Sequence, residues 1–285
     1  MKGESTSQAF TEELRRALAA DEFVPFYQPI VDLKTRRTNG FEALVRRNHP
    51  ERGLLLPRSF LTTVEEAGLL QETRQMLLDK ASRAIVTWQR ELGLRLDLYS
   101  NINAAEPSYS QFEADIVSVI HQNELDPSHL VLELDRAILL QEINDSTANA
   151  LAGLSKSGVR MAIDDLLDDS TFERIGQLSA NVVKLDIGLV RRAVGSAEGR
   201  QFVAAIVRRC GDLGILVLAE GIEEEALIEP LTELGCRLGQ GFYFGRPVDA
   251  ITMASGIGPR TLAVHGSTLC PVYDGKAPTC VGALR

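Results

Sequence analysis

The chain alternates short β-like runs with longer amphipathic segments, and no other feature restricts its fold so strongly. Runs of strand character lie at Val24–Val31, Thr38–Val45, Leu94–Asn101, Leu130–Leu134, Arg160–Asp164, Val182–Leu185, Ile215–Ala219 and Leu238–Phe242. Between the later runs lie helical patterns such as QEINDSTANALAGLSKSG, GRQFVAAIVRRCGDLG and EEEALIEPLTELG. Two of these close on glycine with the next strand starting at once, as βαβ connections do. The first two runs are joined by LKTRRTNG, which is too short for a crossover helix and predicts an antiparallel hairpin. The pattern therefore predicts an α/β fold, a modified TIM-type (β/α)8 barrel whose first strand runs backwards. A doubly wound open sheet is the alternative, weakened because no glycine-rich phosphate fingerprint follows the first strand.

SQAFTEELRRALAADEF predicts a helix packed on the barrel. After about Ala250 the periodicity stops, and GIGPRTLAVHGSTLCPVYDGKAPTCVGALR is rich in Gly and Pro. The expected division is an extension over residues 1–7, one domain over 8–250 and a tail over 251–285. A length of 285 residues suits a single α/β barrel.

No apolar run reaches the roughly 18–20 residues of a membrane span. The start of the chain has no apolar signal-peptide core, so a cytoplasmic setting is expected. The net charge of −9 argues against a DNA-binding protein, whose affinity rests on neutralising phosphates. An anionic small ligand stays compatible if cations reverse the local field. Cys210 and Cys236 sit in apolar helical surroundings and are expected as buried free thiols. Cys270 and Cys280 lie in the tail, where no pairing is assigned.

Parallel barrel strands should be apolar, yet these strand ends carry polar groups. They supply Glu42 in GFEAL, Asn101 in LYSNIN, Glu133 in LVLELD, Asp164 and Asp165 in MAIDD, Lys184 in VVKLD, Glu220 in VLAEG and Gln240 in LGQGF. Each alone has an ordinary explanation: a helix cap, or for Lys184 a pair with Asp186. In a barrel, however, they meet at one mouth. Carboxylates gathered so closely repel one another without a cation. An oxygen-only donor set suits Mg2+, Mn2+ or Ca2+ rather than zinc. Two such ions would serve metal-assisted phosphoester hydrolysis.

YQPIVDL, GFEALVR, LYSNIN, LVLELD, AIDD, VVKLD, VLAEGIE and LGCRLGQGFYFGRP resemble, in order and spacing, the EAL domain of bacterial cyclic di-GMP phosphodiesterases. The resemblance covers about residues 8–250. It implies a metal-dependent opening of cyclic di-GMP to linear pGpG, driven by Mg2+ or Mn2+ and inhibited by Ca2+. It further implies that Glu42, Asn101, Glu133 and Asp164 hold one cation, with Asp164 bridging to a second completed by Asp165. Lys184 would hold the attacking water and Glu220 would orient or deprotonate it. Gln28, Leu44, Arg46, Gln240 and Pro247 would meet or line the substrate, Arg46 at a phosphate and Gln28 at a guanine.

The chain departs from that family chiefly in one loop and its anchor. After its paired aspartates the family usually continues with Phe-Gly-x-Gly and serines, a loop that controls the second metal and dimer contacts. Here the residues are Leu166, Leu167, Asp168, Asp169, Ser170 and Thr171, without glycine and one residue short. The Glu that anchors this loop in the family is Arg136 here, which could pair with Asp168 or Asp169. Arg47 replaces a usual Trp and Arg237 a usual Asp, changes expected at the rim. A homodimer is implied by the resemblance, but the altered loop leaves oligomeric state open. The competing expectation is a catalytically inactive cyclic di-GMP receptor, or a module that binds a protein partner.

Overall fold

In the computed structural model, residues 2–102, 109–135, 145–166, 175 and 178–256 are described. The hairpin forms as its short linker requires: β1 (Phe23–Asp32) pairs antiparallel with β2 (Arg37–His49), placing Gln28 opposite Glu42 and Val24 opposite Arg46. Asp32 makes the turn by accepting the backbone N–H groups of Lys34 and Thr35 at 3.0 and 2.8 Å.

The remaining strands are β3 (Gly53–Leu55), β4 (Asp97–Ile102), β5 (Leu130–Leu134), β6 (Arg160–Leu166), β7 (Val182–Leu185), β8 (Leu216–Ala219) and β9 (Leu238–Gln240). The sheet order is β1-β9-β8-β7-β6-β5-β4-β2-β3, and the β1–β2 pairing closes it. From β2 through β4 to β9 the barrel neighbours are parallel, whereas β1 is antiparallel to both β2 and β9. This is the backward-first-strand barrel, and closure rules out the open sheet. β3 was not expected; it folds back on the end of β2, outside the closed ring.

The described helices are α1 (Lys2–Ala19), α2 (Leu61–Glu66), α3 (Leu70–Leu92), α4 (Tyr109–Asn123), α5 (Asp145–Lys156), α6 (Ile187–Gly195), α7 (Ala197–Asp212), α8 (Ile228–Leu234) and α9 (Ala250–Gly256). Helix α1 begins at Lys2, ahead of the expected domain start at residue 8. Helix α9 continues ordered structure past Ala250, because Met253 is fully buried against the barrel. The strand expected from Leu94 begins only at Asp97, since Gly93 takes a left-handed conformation (φ 62) that ends α3.

Two apolar layers hold the barrel. Its interior is filled by Ile30, Tyr99, Val131, Ala162, Val182, Leu218 and Leu238, one from each of seven strands. The outward-facing strand residues and the helices form the larger core, in which Trp88 packs edge-on against Tyr27 and Phe41. A third cluster seats α1 through Leu14 and Ala17 on Phe23, Phe60, Val64 and Leu69. No described helix is long and apolar enough to cross a membrane.

Candidate functional site

Side chains alternate faces along a strand, so the residue two positions after an interior apolar one also points inward, one layer higher. Tyr99 is thus followed by Asn101, Val131 by Glu133, Ala162 by Asp164, Val182 by Lys184, Leu218 by Glu220 and Leu238 by Gln240. In the reversed β1 the same step runs backwards, from Ile30 to Gln28. The apolar floor and the polar mouth come from one periodicity.

Lys184 lies at the centre of this mouth. Its Nζ is 2.8 Å from Glu220 Oε1, 3.1 Å from Glu133 Oε1, 3.5 Å from Asp164 Oδ1 and 3.9 Å from Glu42 Oε2. The pairing with Asp186 does not form; Asp186 caps α6 instead, accepting the Leu189 N–H at 2.8 Å. Glu42 is further held by amides, receiving Asn101 Nδ2 at 2.9 Å and Gln240 Nε2 at 2.6 Å. Gln240 Nε2 also lies 3.2 Å from Gln28 Oε1, and Gln28 donates to the Gly245 carbonyl at 3.3 Å. A chain of amides therefore links β2, β9, β1 and the loop after β9.

Charge is distributed unevenly across the cluster. Burial opposes the charge on Glu42, yet Lys184 and its two amide donors outweigh burial and hold its carboxyl below the usual range. Burial pushes Glu133 well above that range, and the negative neighbours Glu42 and Asp164 add to the effect. The two carboxyls move apart because a proton on one relieves the other. Burial also works against the Lys184 ammonium, but Glu133, Glu42, Glu220 and Asp164 together raise its affinity for the proton well above normal. Glu220 is pushed up to about 7, chiefly by burial.

Among the described residues, no three His, Cys, Asp or Glu side chains are grouped as a ready-made metal shell. The carboxylates face the Lys184 ammonium instead. The donor chemistry nonetheless fits an oxygen-seeking cation. Glu133 is wholly buried, neither of its oxygens accepts an aligned hydrogen bond, and Gln240 Oε1 is likewise unpartnered. The ammonium beside Glu133 Oε1 makes an ionic contact that leaves Oε2 without a donor.

The other expected residues take more varied places. Leu44, opposite Phe26, and Arg46 are partly buried farther along β2. Arg46 Nη1 donates to the Val45 carbonyl at 2.7 Å, and its guanidinium lies 5.7 Å from the Phe26 ring centre. Pro247 precedes Val248, whose backbone bridges to Tyr27, next to Gln28. Asp165 is in β6, with its backbone alone described. Arg136, Asp168, Asp169 and the loop 167–174 lie outside the described residues, as do His265, Cys270 and Cys280; the Arg136 pairing and the loop's role belong to that part of the chain.

Two rim expectations are corrected. Arg47 is buried (3% exposed) behind β2, on the opposite face from Arg46. Arg237 pairs with Asp32 (Nε–Oδ2 2.6 Å) at the start of β9, at the far end of the strand from Gln240. The sequence reading also missed a clasp between the loops after β8 and β9. Ile222 N donates to Gln240 O and Tyr243 N to Ile222 O, both at 3.0 Å, enclosing Gly241. The signal was present as a glycine directly after both Glu220 and Gln240.

Residues 11–247 match the family model described as the EAL domain. The chain belongs to the EAL domain family. This EAL domain is 32% identical over 239 residues to the bifunctional diguanylate cyclase/cyclic di-GMP phosphodiesterase MucR of Pseudomonas aeruginosa, covering 84% of this chain and 35% of that protein. It is 29% identical over 250 residues to a cyclic di-GMP phosphodiesterase of the same organism, covering 86% and 42%. The chain thus spans well under half the length of these relatives. Among solved structures, the PaMucR phosphodiesterase in complex with c-di-GMP aligns with a TM-score of 0.78 at 31% identity, over 86% of this chain and 99% of that one. The EAL enzyme Bd1971, in a form bound to cAMP and cyclic di-GMP, aligns at 0.80 with 26% identity, over 90% and 70%.

Proposed function

We propose that this EAL domain hydrolyses cyclic di-GMP to linear pGpG with Mg2+ or Mn2+. The observation that carries the reading is the convergence of Glu42, Asn101, Glu133, Asp164, Lys184 and Glu220 from six neighbouring strands onto one mouth. Glu42, Asn101, Glu133 and Asp164 would hold one cation, and Asp164 with Asp165 a second. Such ions, when bound, supply positive charge to the phosphodiester and acidify a water.

The chain's own residues do the rest. Lys184 Nζ and Glu220 Oε1, in direct contact at 2.8 Å, present a donor and an acceptor side by side, and the attacking water would bind against the pair from its open side. Glu220, beside the Lys184 ammonium, is placed to take the water's proton. The new P–O bond forms as the P–O3′ bond breaks, and the leaving 3′ oxygen takes up a proton. Arg46 faces a phosphate, Gln28 a guanine, and Leu44, Gln240 and Pro247 line the approach.

A second reading, cyclic di-GMP binding without useful turnover, is favoured by the glycine-free segment Leu166–Thr171 and by Arg136. A protein partner or a homodimer contact would then be the use of the remaining surface. Calorimetry with cyclic di-GMP and Ca2+, followed by pGpG formation with Mn2+ on the same preparation, separates the readings. The hydrolase reading expects binding and pGpG. It fails if wild type yields no more pGpG than Glu42→Ala.

A further inference from the structure

The strand segment that carries Arg46 has little support from the barrel itself. β2 pairs with β4 only from Gly40 to Ala43, and with β3 only from Arg47 to His49. Between these, Leu44 to Arg46 are paired on one side alone, to β1. Over Leu44–Arg46, β1 and β2 therefore form a two-stranded ribbon, which needs packing from outside the sheet to be stable; Phe23 and Val45 supply part of it in the apolar cluster with α1.

Arg47 sits behind that ribbon. Arg46 and Arg47 are adjacent, so their side chains leave opposite faces of the strand. The Arg47 guanidinium is 3% exposed; its Nη2 meets Glu13 Oε1 at 2.8 Å and its Nε meets Glu22 Oε2 at 2.9 Å. Glu13 belongs to α1, and Glu22 lies in the turn between α1 and β1. The guanidinium also lies 5.8 Å from the Phe23 ring centre. The backbone adds one tie, Asn48 N donating to Glu22 O at 2.7 Å. One rigid planar fork thus fastens the ribbon to α1 in two directions, which a lysine or an aromatic ring in its place could not do.

We propose that Arg47 is a positioning residue for Arg46, and that α1, through Glu13 and Glu22, braces the phosphate-facing end of β2. Placement of Arg46 then depends on how α1 is seated, although no described side chain of α1 reaches the mouth. The proposal rests on the proposed function only in giving Arg46 a phosphate to meet; the brace itself does not require it.

The test compares wild type with Arg47→Leu, and with Glu13→Gln/Glu22→Gln, which weakens the same brace without burying an unpaired carboxylate. Hydrogen–deuterium exchange is expected to quicken in residues 44–48 and to stay unchanged in β4 and β7. Cyclic di-GMP affinity, measured with Ca2+, is expected to weaken on the order of tenfold, and KM to rise alike, while kcat stays within about twofold. Unchanged exchange at 44–48, or exchange that quickens equally in β4 and β7, overturns the brace. Local quickening with unchanged affinity overturns the positioning of Arg46. A wild type that binds no cyclic di-GMP refutes the proposed function and with it the positioning role; the exchange result alone then decides whether the brace exists.

Discussion

Replacing Lys184 by Met leaves a methyl-ended chain of similar reach among Glu42, Glu133, Asp164 and Glu220, which now lack their shared cation. Lys184 is 2% exposed and Glu133 is fully buried, so water cannot replace the lost contact at Glu133. Removing one partner from a buried ionic contact costs about 3–5 kcal/mol. At the lower end of the roughly 2–4 °C per kcal/mol expected for a chain this long, Tm falls by about 6–10 °C. The cost depends on pH. Burial, with Glu42 and Asp164, already raises the Glu133 carboxyl, and Lys184 is the influence that lowers it. Without the ammonium the folded-state value climbs further, while the unfolded chain keeps about 4.3. Between these values the folded protein holds a proton that the unfolded chain has released, so its stability falls as pH rises. Wild-type Glu133 is raised in the same sense but held lower by Lys184, so the stability of Lys184→Met should fall more steeply with pH than that of wild type, and the deficit should be larger near pH 8 than near pH 5. Thermal melts in EDTA at both pH values test this. A variant that melts within about 2 °C of wild type at pH 8 refutes the view that Lys184 is the counter-charge of the cluster. A deficit no larger at pH 8 than at pH 5 refutes the view that Lys184 lowers the Glu133 carboxyl.

A Cβ on Gly241 would lie 2.1 Å from Ile222 O and 2.3 Å from its N, so Gly241→Ala must open the clasp between the loops that carry Glu220 and Gln240. It is expected to cost about 1–3 kcal/mol in chemical denaturation; no loss of stability would mean that the loops are not held together there. Burial pushes the Cys210 thiol up to about 11 and the Cys236 thiol up to about 12, so the native protein should resist iodoacetamide at both near pH 8. Peptide mapping after labelling with and without denaturant checks this, and native labelling of either residue contradicts it.

The site was more legible than most of the fold's detail, and the reason is periodicity. The sequence places a polar residue two positions after an apolar one in strand after strand, and a barrel converts that spacing into a floor and a mouth. Val131 with Glu133 and Val182 with Lys184 show this plainly. The same reasoning misjudged Arg47 and Arg237. Arg47 follows Arg46 by one position, and whether its outward face meets solvent or another element depends on where α1 lies. Arg237 precedes a strand, and its meeting with Asp32 depends on β1 running antiparallel beside β9. β3 was hidden because GLL is too short to show alternation, and the Ala250–Gly256 helix because it spans barely two turns.

By itself the sequence determined the order of the eight barrel strands, the reversed hairpin and the set of groups at the strand ends, because these depend on neighbours in the chain. The tertiary structure alone decided that Lys184 rather than a carboxylate takes the centre of the cluster, that Glu42 and Glu133 are driven in opposite directions, and that Arg47 faces α1. Those outcomes depend on burial and on distances between strands far apart in sequence, and both are fixed only when the barrel closes.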